Sequence, residues 1–364
     1  MFNIEIAGDS HGKYMMGIIK GIPAGIKLDL NYIKKDLKLR KNTYGRGKRM
    51  NLEDDNILIN SGIYNDLTTG APISLIIENK GKNTENKERF IPRPGHGDYT
   101  GYKKYGIKDL NIYTERNSAR WTVVLTAIGS ICRQILELFD IKISGYTKSI
   151  GYLEDKKEYS FEEIEDYSKN NLYILDEEFY EKAIKYIDEI KEKKDSIGGK
   201  VKIISKNVIP GLGSYSDYFN KIDSKIGKYF MSIPSVKGVL IGKDKFKELG
   251  SDYNDEFIFK NQKISRKSNN VGGIEAGLTN GEEIEVELSL KPIPTILKNM
   301  NSVDLKSLKN EKTSYIRSDN VVVSSMVPIG ISTMSIIILE EIFNNFGDDN
   351  IEFIKNRYFE KKGF

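Results

Sequence analysis

Apolar and polar positions along the chain change period several times, and each change predicts an element. Residues 2–7 and 14–20 alternate, which predicts two strands joined by the turn GDSHG. Residues 30–40 carry apolar side chains at 30, 33, 37 and 39, the pattern of a short amphipathic helix. ILINSGIY and APISLIIEN read as strands separated by DLTTG, with a polar loop over 79–92. Apolar positions at 124, 127, 128, 131, 135 and 138 then share one face of a long helix over 118–139, with Ser118 as its N-cap. Residues 141–151 predict a strand. Residues 176–196 predict a charged helix with acidic residues first and basic ones last, as the helix dipole favours. A strand in GGKVKIISKNVIPG, a helix over 216–232 and a strand in VKGVLIG follow. A glycine-rich loop then feeds an alternating strand within 268–295, and a second strongly apolar helix spans 326–343.

Strands arrive in groups before each long apolar helix instead of alternating with helices one by one. That order predicts an α+β fold of antiparallel sheets packed on long apolar helices, not a doubly wound parallel sheet. The same order in each half points to a duplicated architecture, although no sequence repeat accompanies it. At 364 residues the chain can bury a large core, and it reads as a single domain over 1–364.

Composition removes several function classes. With 56 basic and 52 acidic residues the formal net charge is +4, too small an excess for a dedicated nucleic-acid binder. One cysteine, Cys132, excludes an internal disulfide framework and a Cys-rich metal site, and its place in the apolar helix reads as a buried small hydrophobe. Two histidines without an HxxxH spacing give no expectation of a metal. The start, MFNIEIAGDSHG, has no basic-then-apolar leader, and no uninterrupted apolar run approaches about 18 residues. No membrane partner and a cytoplasmic location are therefore expected.

The two histidines, His11 and His96, both fall in glycine-flanked polar loops, GDSHG and RPGHGD. Lysine is the default cation here. Most of the 11 arginines sit in glycine- or turn-rich stretches, where a planar forked donor suits carboxylates and phosphates. The segment from Arg93 to Arg120 brings a guanidinium, an imidazole and a carboxylate within six residues and ends on RNSAR at a helix start, a place suited to an anion. Ser10, His11 and Asp98 could form a hydrolase triad, but no GxSxG elbow is present, and no GxxxxGK[ST] phosphate loop either.

Together these loops carry a resemblance. The stretches GDSHGKYMMGIIKGIPAG, RKNTYGRGKRM, RPGHGDYTGYKKYG, RNSARWT, SIPSVKG, NNVGGIEAGLTNG, KPIPT and RSDN resemble the chorismate synthase family, in order and over almost the whole chain. The resemblance implies a β-α-β sandwich, a homotetramer, and a lyase that uses reduced FMN. Its reaction would be 1,4-elimination of phosphate from 5-enolpyruvylshikimate 3-phosphate to give chorismate, with no net redox change. An external system would reduce the flavin. On this mapping His11 and His96 match the family's catalytic histidines, one protonating the departing phosphate and the other stabilising the reduced flavin. Asp319 matches the aspartate that helps remove the C6 proton. Ser10, Arg40, Arg46, Arg49, Arg93 and Arg120 would bind substrate. Arg116, Asn117, Ser118, Pro234, Ser235, Ala276, Lys291, Pro292, Ile293, Pro294, Thr295 and Arg317 would hold FMN. The chain departs from the family pattern at Asp9, Thr43, Lys48, Gly97, Trp121, Ala276 and Ser318, the last standing where the family has His. Two other readings stay open: a catalytically weakened flavin-binding relative, and a basic nucleic-acid module built on TYGRGKR.

Overall fold

Two apolar helices, Thr122–Glu137 and Met326–Phe346, lie against each other at the centre of the molecule. The structure is a computed structural model and describes residues 1–46, 55–80, 87–260, 262–313 and 319–363. Both helices are buried on nearly every side, so their sequences are apolar all round instead of striped. Gly129 sets their approach: a Cβ there would run into the backbone and side chain of Ser332 on the other helix. Backbone cannot yield as a flexible side chain can. Gly129→Ala should therefore cost about 1–3 kcal/mol through overpacking, reduced by up to about 1 kcal/mol of helix propensity. A thermal melt of that variant should fall by several degrees; an unchanged melt would show that the helices can part.

Each helix is covered by an antiparallel sheet. The first sheet has the spatial order Asn3–Gly8, Tyr14–Lys20, Ile73–Glu78, Ile57–Ser61 and packs on Thr122–Glu137. Tyr14–Lys20 alternates exposed and buried positions along its length, as a strand with one wet face must. Gly17 lets it sit close, since a Cβ there would lie 2.6 Å from Val124 Cγ1. The second sheet runs Val236–Ile241, Ile284–Leu290, Gly199–Lys206, Lys142–Ile150, Leu153–Glu154 and packs on Met326–Phe346, where Gly330 meets Ile203. Sheet, paired helices and sheet form the expected α+β sandwich.

Several boundaries differ from the sequence expectation. The long helix begins at Thr122, because Ala119–Trp121 form a 3₁₀ turn; Ser118 caps that turn, its Oγ accepting from Arg120 N at 3.3 Å. Met326–Phe346 is long and apolar enough to cross a membrane, yet 94% of its apolar window is buried inside the fold. It is a core helix. Asp98–Tyr105, Asn111–Asn117 and Ile351–Lys362 are helices that the apolar pattern did not announce. In the first, Gly101 interrupts the period because its Cα must pass against the Tyr113 ring.

Candidate active site

The short helix Asn111–Asn117 reaches the functional loops with three successive residues. Thr114 Oγ1 accepts from Arg93 Nη2 at 2.9 Å. Glu115 holds His11 twice: Oε2 accepts the His11 backbone N–H at 2.7 Å, and Oε1 lies 2.5 Å from His11 Nδ1. Arg116 Nη1 donates to the Gly8 carbonyl at 3.0 Å while most of its side chain stays exposed. Asn117, next along, fills the space beside Gly97 that a Cβ would need. That contact accounts for glycine at 97.

His96 is held by Asp98, whose Oδ1 lies 2.7 Å from His96 Nδ1. Asp98 is fully buried and also accepts from Arg93 Nε at 2.9 Å, the Arg93 backbone N–H at 3.1 Å and Arg89 Nη2 at 2.9 Å. Burial pushes the Asp98 carboxyl up, but hydrogen bonds from His96 and Arg93 outweigh it and hold the group well below the usual carboxylate range. Arg93 gives its remaining reach to Thr295 Oγ1 at 2.9 Å and to Thr114. The guanidinium expected to clamp substrate is thus bonded to protein through Nε, Nη1 and Nη2, as a brace behind His96.

Arg40, Arg46 and Arg120 form a second cluster. Arg40 is buried; its Nε and Nη2 donate to Thr122 Oγ1 at 3.1 and 2.9 Å. Its Nη1 is buried with no hydrogen-bond partner among the described residues, the Asp55 carboxylate standing 3.9 Å away. Burial and then the neighbouring Arg46 pull the Arg40 pKa down to about 9, with Arg120 adding to the effect and Asp55 and Asp319 opposing it. Arg46 donates to Ser325 Oγ at 2.8 Å and pairs through Nε with Asp319 Oδ2 at 3.2 Å. Arg120 donates to Asp55 Oδ1 at 2.6 Å and Asn79 Oδ1 at 2.8 Å. Buried Asn79 joins this cluster to the histidine loop, donating to the carbonyls of Asp9 and Gly12 at 3.1 and 2.9 Å.

The residues mapped to FMN divide. Lys291 N–H donates to Ser235 O at 2.9 Å and Lys291 Nζ to Gly95 O at 2.7 Å, so the Pro234–Ser235 turn and the Lys291–Thr295 run sit on the His96 loop. Ile293 O accepts from Ser196 Oγ at 2.7 Å, and Pro294 packs beside Gly95. Arg116 lies instead along a cleft of ≈ 150 Å³, shared with Ile6, Ala7, Ser10, Met15, Glu115 and Trp121. Ala276 occupies a separate left-handed turn whose neighbour Gly277 is bonded to Ser214 and Ile222. Arg49, Arg317, Lys48 and Ser318 lie outside the described residues. Among the described residues no group of His, Cys, Asp or Glu is arranged to hold a metal ion. Sequence reasoning missed Glu115, Asn79, Asp55 and Thr122; of these only Glu115 carried a signal, its place beside Arg116 in a polar motif.

The chorismate synthase family profile matches residues 2–343. A chorismate synthase of Thermotoga maritima is 45% identical over 357 residues, covering 98% of this chain and 95% of that protein. One of Clostridium tetani is 40% identical, with 98% and 96% covered. A crystal structure of a chorismate synthase superposes with a TM-score of 0.82 at 32% identity, over 100% of this chain and 99% of the other. The chain belongs to the chorismate synthase family. Chorismate synthases are lyases of the shikimate pathway, which leads to the aromatic amino acids, and turn 5-enolpyruvylshikimate 3-phosphate into chorismate. For a chorismate synthase the chemistry of the cluster is apt. The substrate carries two carboxylates and a phosphate, and Arg40, Arg46 and Arg120 gather three guanidinia, with the buried Nη1 of Arg40 lacking a partner among the described residues.

Proposed function

We propose that this chain carries out the elimination with reduced FMN, and that Arg40, Arg46 and Arg120 receive the anionic substrate between His11 and Asp319. The Nη1 of buried Arg40, without a partner among the described residues, carries the reading, because a buried N–H without an acceptor is costly and an anion would supply one. His11 and His96 hold and deliver protons, one to the departing phosphate. Asp319, fixed by Arg46, takes a proton from the substrate carbon. The donor set suits FMN: Ile6, Ala7, Met15 and Trp121 offer apolar wall to a flat ring, and Arg116, on the same cleft, offers a cation to its phosphate. Bound reduced FMN would supply electron density to the substrate as phosphate leaves, and would end the cycle as it began. The enzyme would work as a cytoplasmic homotetramer of chains read as one domain over 1–364, with flavin reduced by an external system.

An anaerobic assay of purified protein with dithionite-reduced FMN and substrate tests this. One equivalent of reduced flavin should support many turnovers, and strict one-to-one flavin oxidation per product would sink the reading. Within the cluster, a charge-assisted hydrogen bond is worth roughly 1.5–3 kcal/mol. Arg46→Ala should therefore weaken substrate binding by about tenfold to 150-fold in a titration, where a solvated basic loop would give less than about twofold.

A further inference from the structure

We propose that Glu115 is a positioning residue for His11: it fixes the ring as the Nδ1–H tautomer and leaves Nε2 as the nitrogen that exchanges a proton. The inference rests on the proposed catalytic role of His11. A carboxylate can only accept hydrogen bonds, so the hydrogen between Glu115 Oε1 and His11 Nδ1, 2.5 Å apart, belongs to the ring. The same carboxylate takes the His11 backbone N–H, and the Glu115 carbonyl accepts from Ser10 N at 3.3 Å. Residue 115 therefore sets loop and ring together. Its own backbone is fixed from both sides, by Thr114 on Arg93 and by Arg116 on Gly8. Glu115 also lines the ≈ 150 Å³ cleft with Ser10, so the braced imidazole stands beside the space where a ligand would sit.

The bland alternative is that Glu115 merely staples the GDSHG loop. The two differ in the ring's protonation pattern, not in its place. The chain helps here: with two histidines it has four ring nitrogens, and His96, held through Nδ1 by Asp98, is an internal control. ¹⁵N NMR of the wild-type protein at a pH where the rings are neutral should read His11 as Nδ1–H. Glu115→Gln keeps an acceptor for the backbone N–H, but its amide can donate or accept, so the ring is no longer pinned. The two His11 nitrogen shifts should then move toward each other while those of His96 stay. Turnover should fall by about 10- to 100-fold, less than the 10²–10⁴ of losing an acid–base group, with KM changed less than about threefold. An Nε2–H His11 in the wild type, which needs no variant to fold, overturns the inference. So does a Glu115→Gln protein with unmoved His11 shifts, whatever its activity. Shifted His11 signals with full turnover overturn the catalytic reading of His11 and with it the positioning role.

Discussion

Replacing His11 or His96 with alanine lowers turnover by about 10²–10⁴, the usual worth of a positioned acid–base group, and leaves the fold standing. Both side chains are braced by a carboxylate but keep some exposure, 16% for His11 and 12% for His96, and neither belongs to the apolar core. After His11→Ala, Glu115 still accepts the backbone N–H of residue 11, so the loop retains its staple. After His96→Ala, Asp98 still has Arg93 and Arg89, so no buried charge is orphaned. Each variant should melt within a few degrees of the wild type while its anaerobic rate at saturating reduced FMN collapses. Near-normal turnover would remove that histidine from the chemistry, and an unfolded variant would return it to a structural role.

The histidines could be found in the sequence because they are two, and both stand in glycine-flanked polar loops. The large elements were legible for a different reason: strands of the first sheet alternate, and the two central helices are apolar beyond what a surface helix needs. The region from Arg93 to Asn117 was legible as chemistry but not as structure. Its helices are short, and Gly97 and Gly101 serve contacts with Asn117 and Tyr113 that no local pattern encodes. Glu115 was illegible because a glutamate on a helix is ordinarily solvated, and its partner lies 104 residues away. Arg93 shows a further limit: its motif marked it as chemistry, but its contacts with Asp98, Thr295 and Thr114 span the fold and no local pattern encodes them.

Those contacts of Arg93 make Asp98 a group whose loss should cost much stability. Asp98→Asn keeps the shape but removes the charge that faces two guanidinia, Arg93 and the partly exposed Arg89, and removing one partner of a buried ion pair costs about 3–5 kcal/mol. Asparagine would also turn an N–H₂ toward either arginine or His96, where the carboxylate only accepted. Turnover should fall as well, because the His96 ring no longer has a charged acceptor on its Nδ1. The pH dependence has a definite sign. Burial alone would raise the Asp98 carboxyl, but His96 and Arg93 hold it well below the usual range in the folded state. A carboxyl depressed in this way stabilises the fold fully above its unfolded value of about 3.9, and the contribution is lost as pH falls through the lower folded value. Urea unfolding should therefore show a gap of about 3–5 kcal/mol between wild type and Asp98→Asn at neutral pH, narrowing only below about pH 4. A gap under about 1 kcal/mol at neutral pH, the range of an exposed pair, would mean that the arginines find other partners and that Asp98 is not the keystone of the His96 loop.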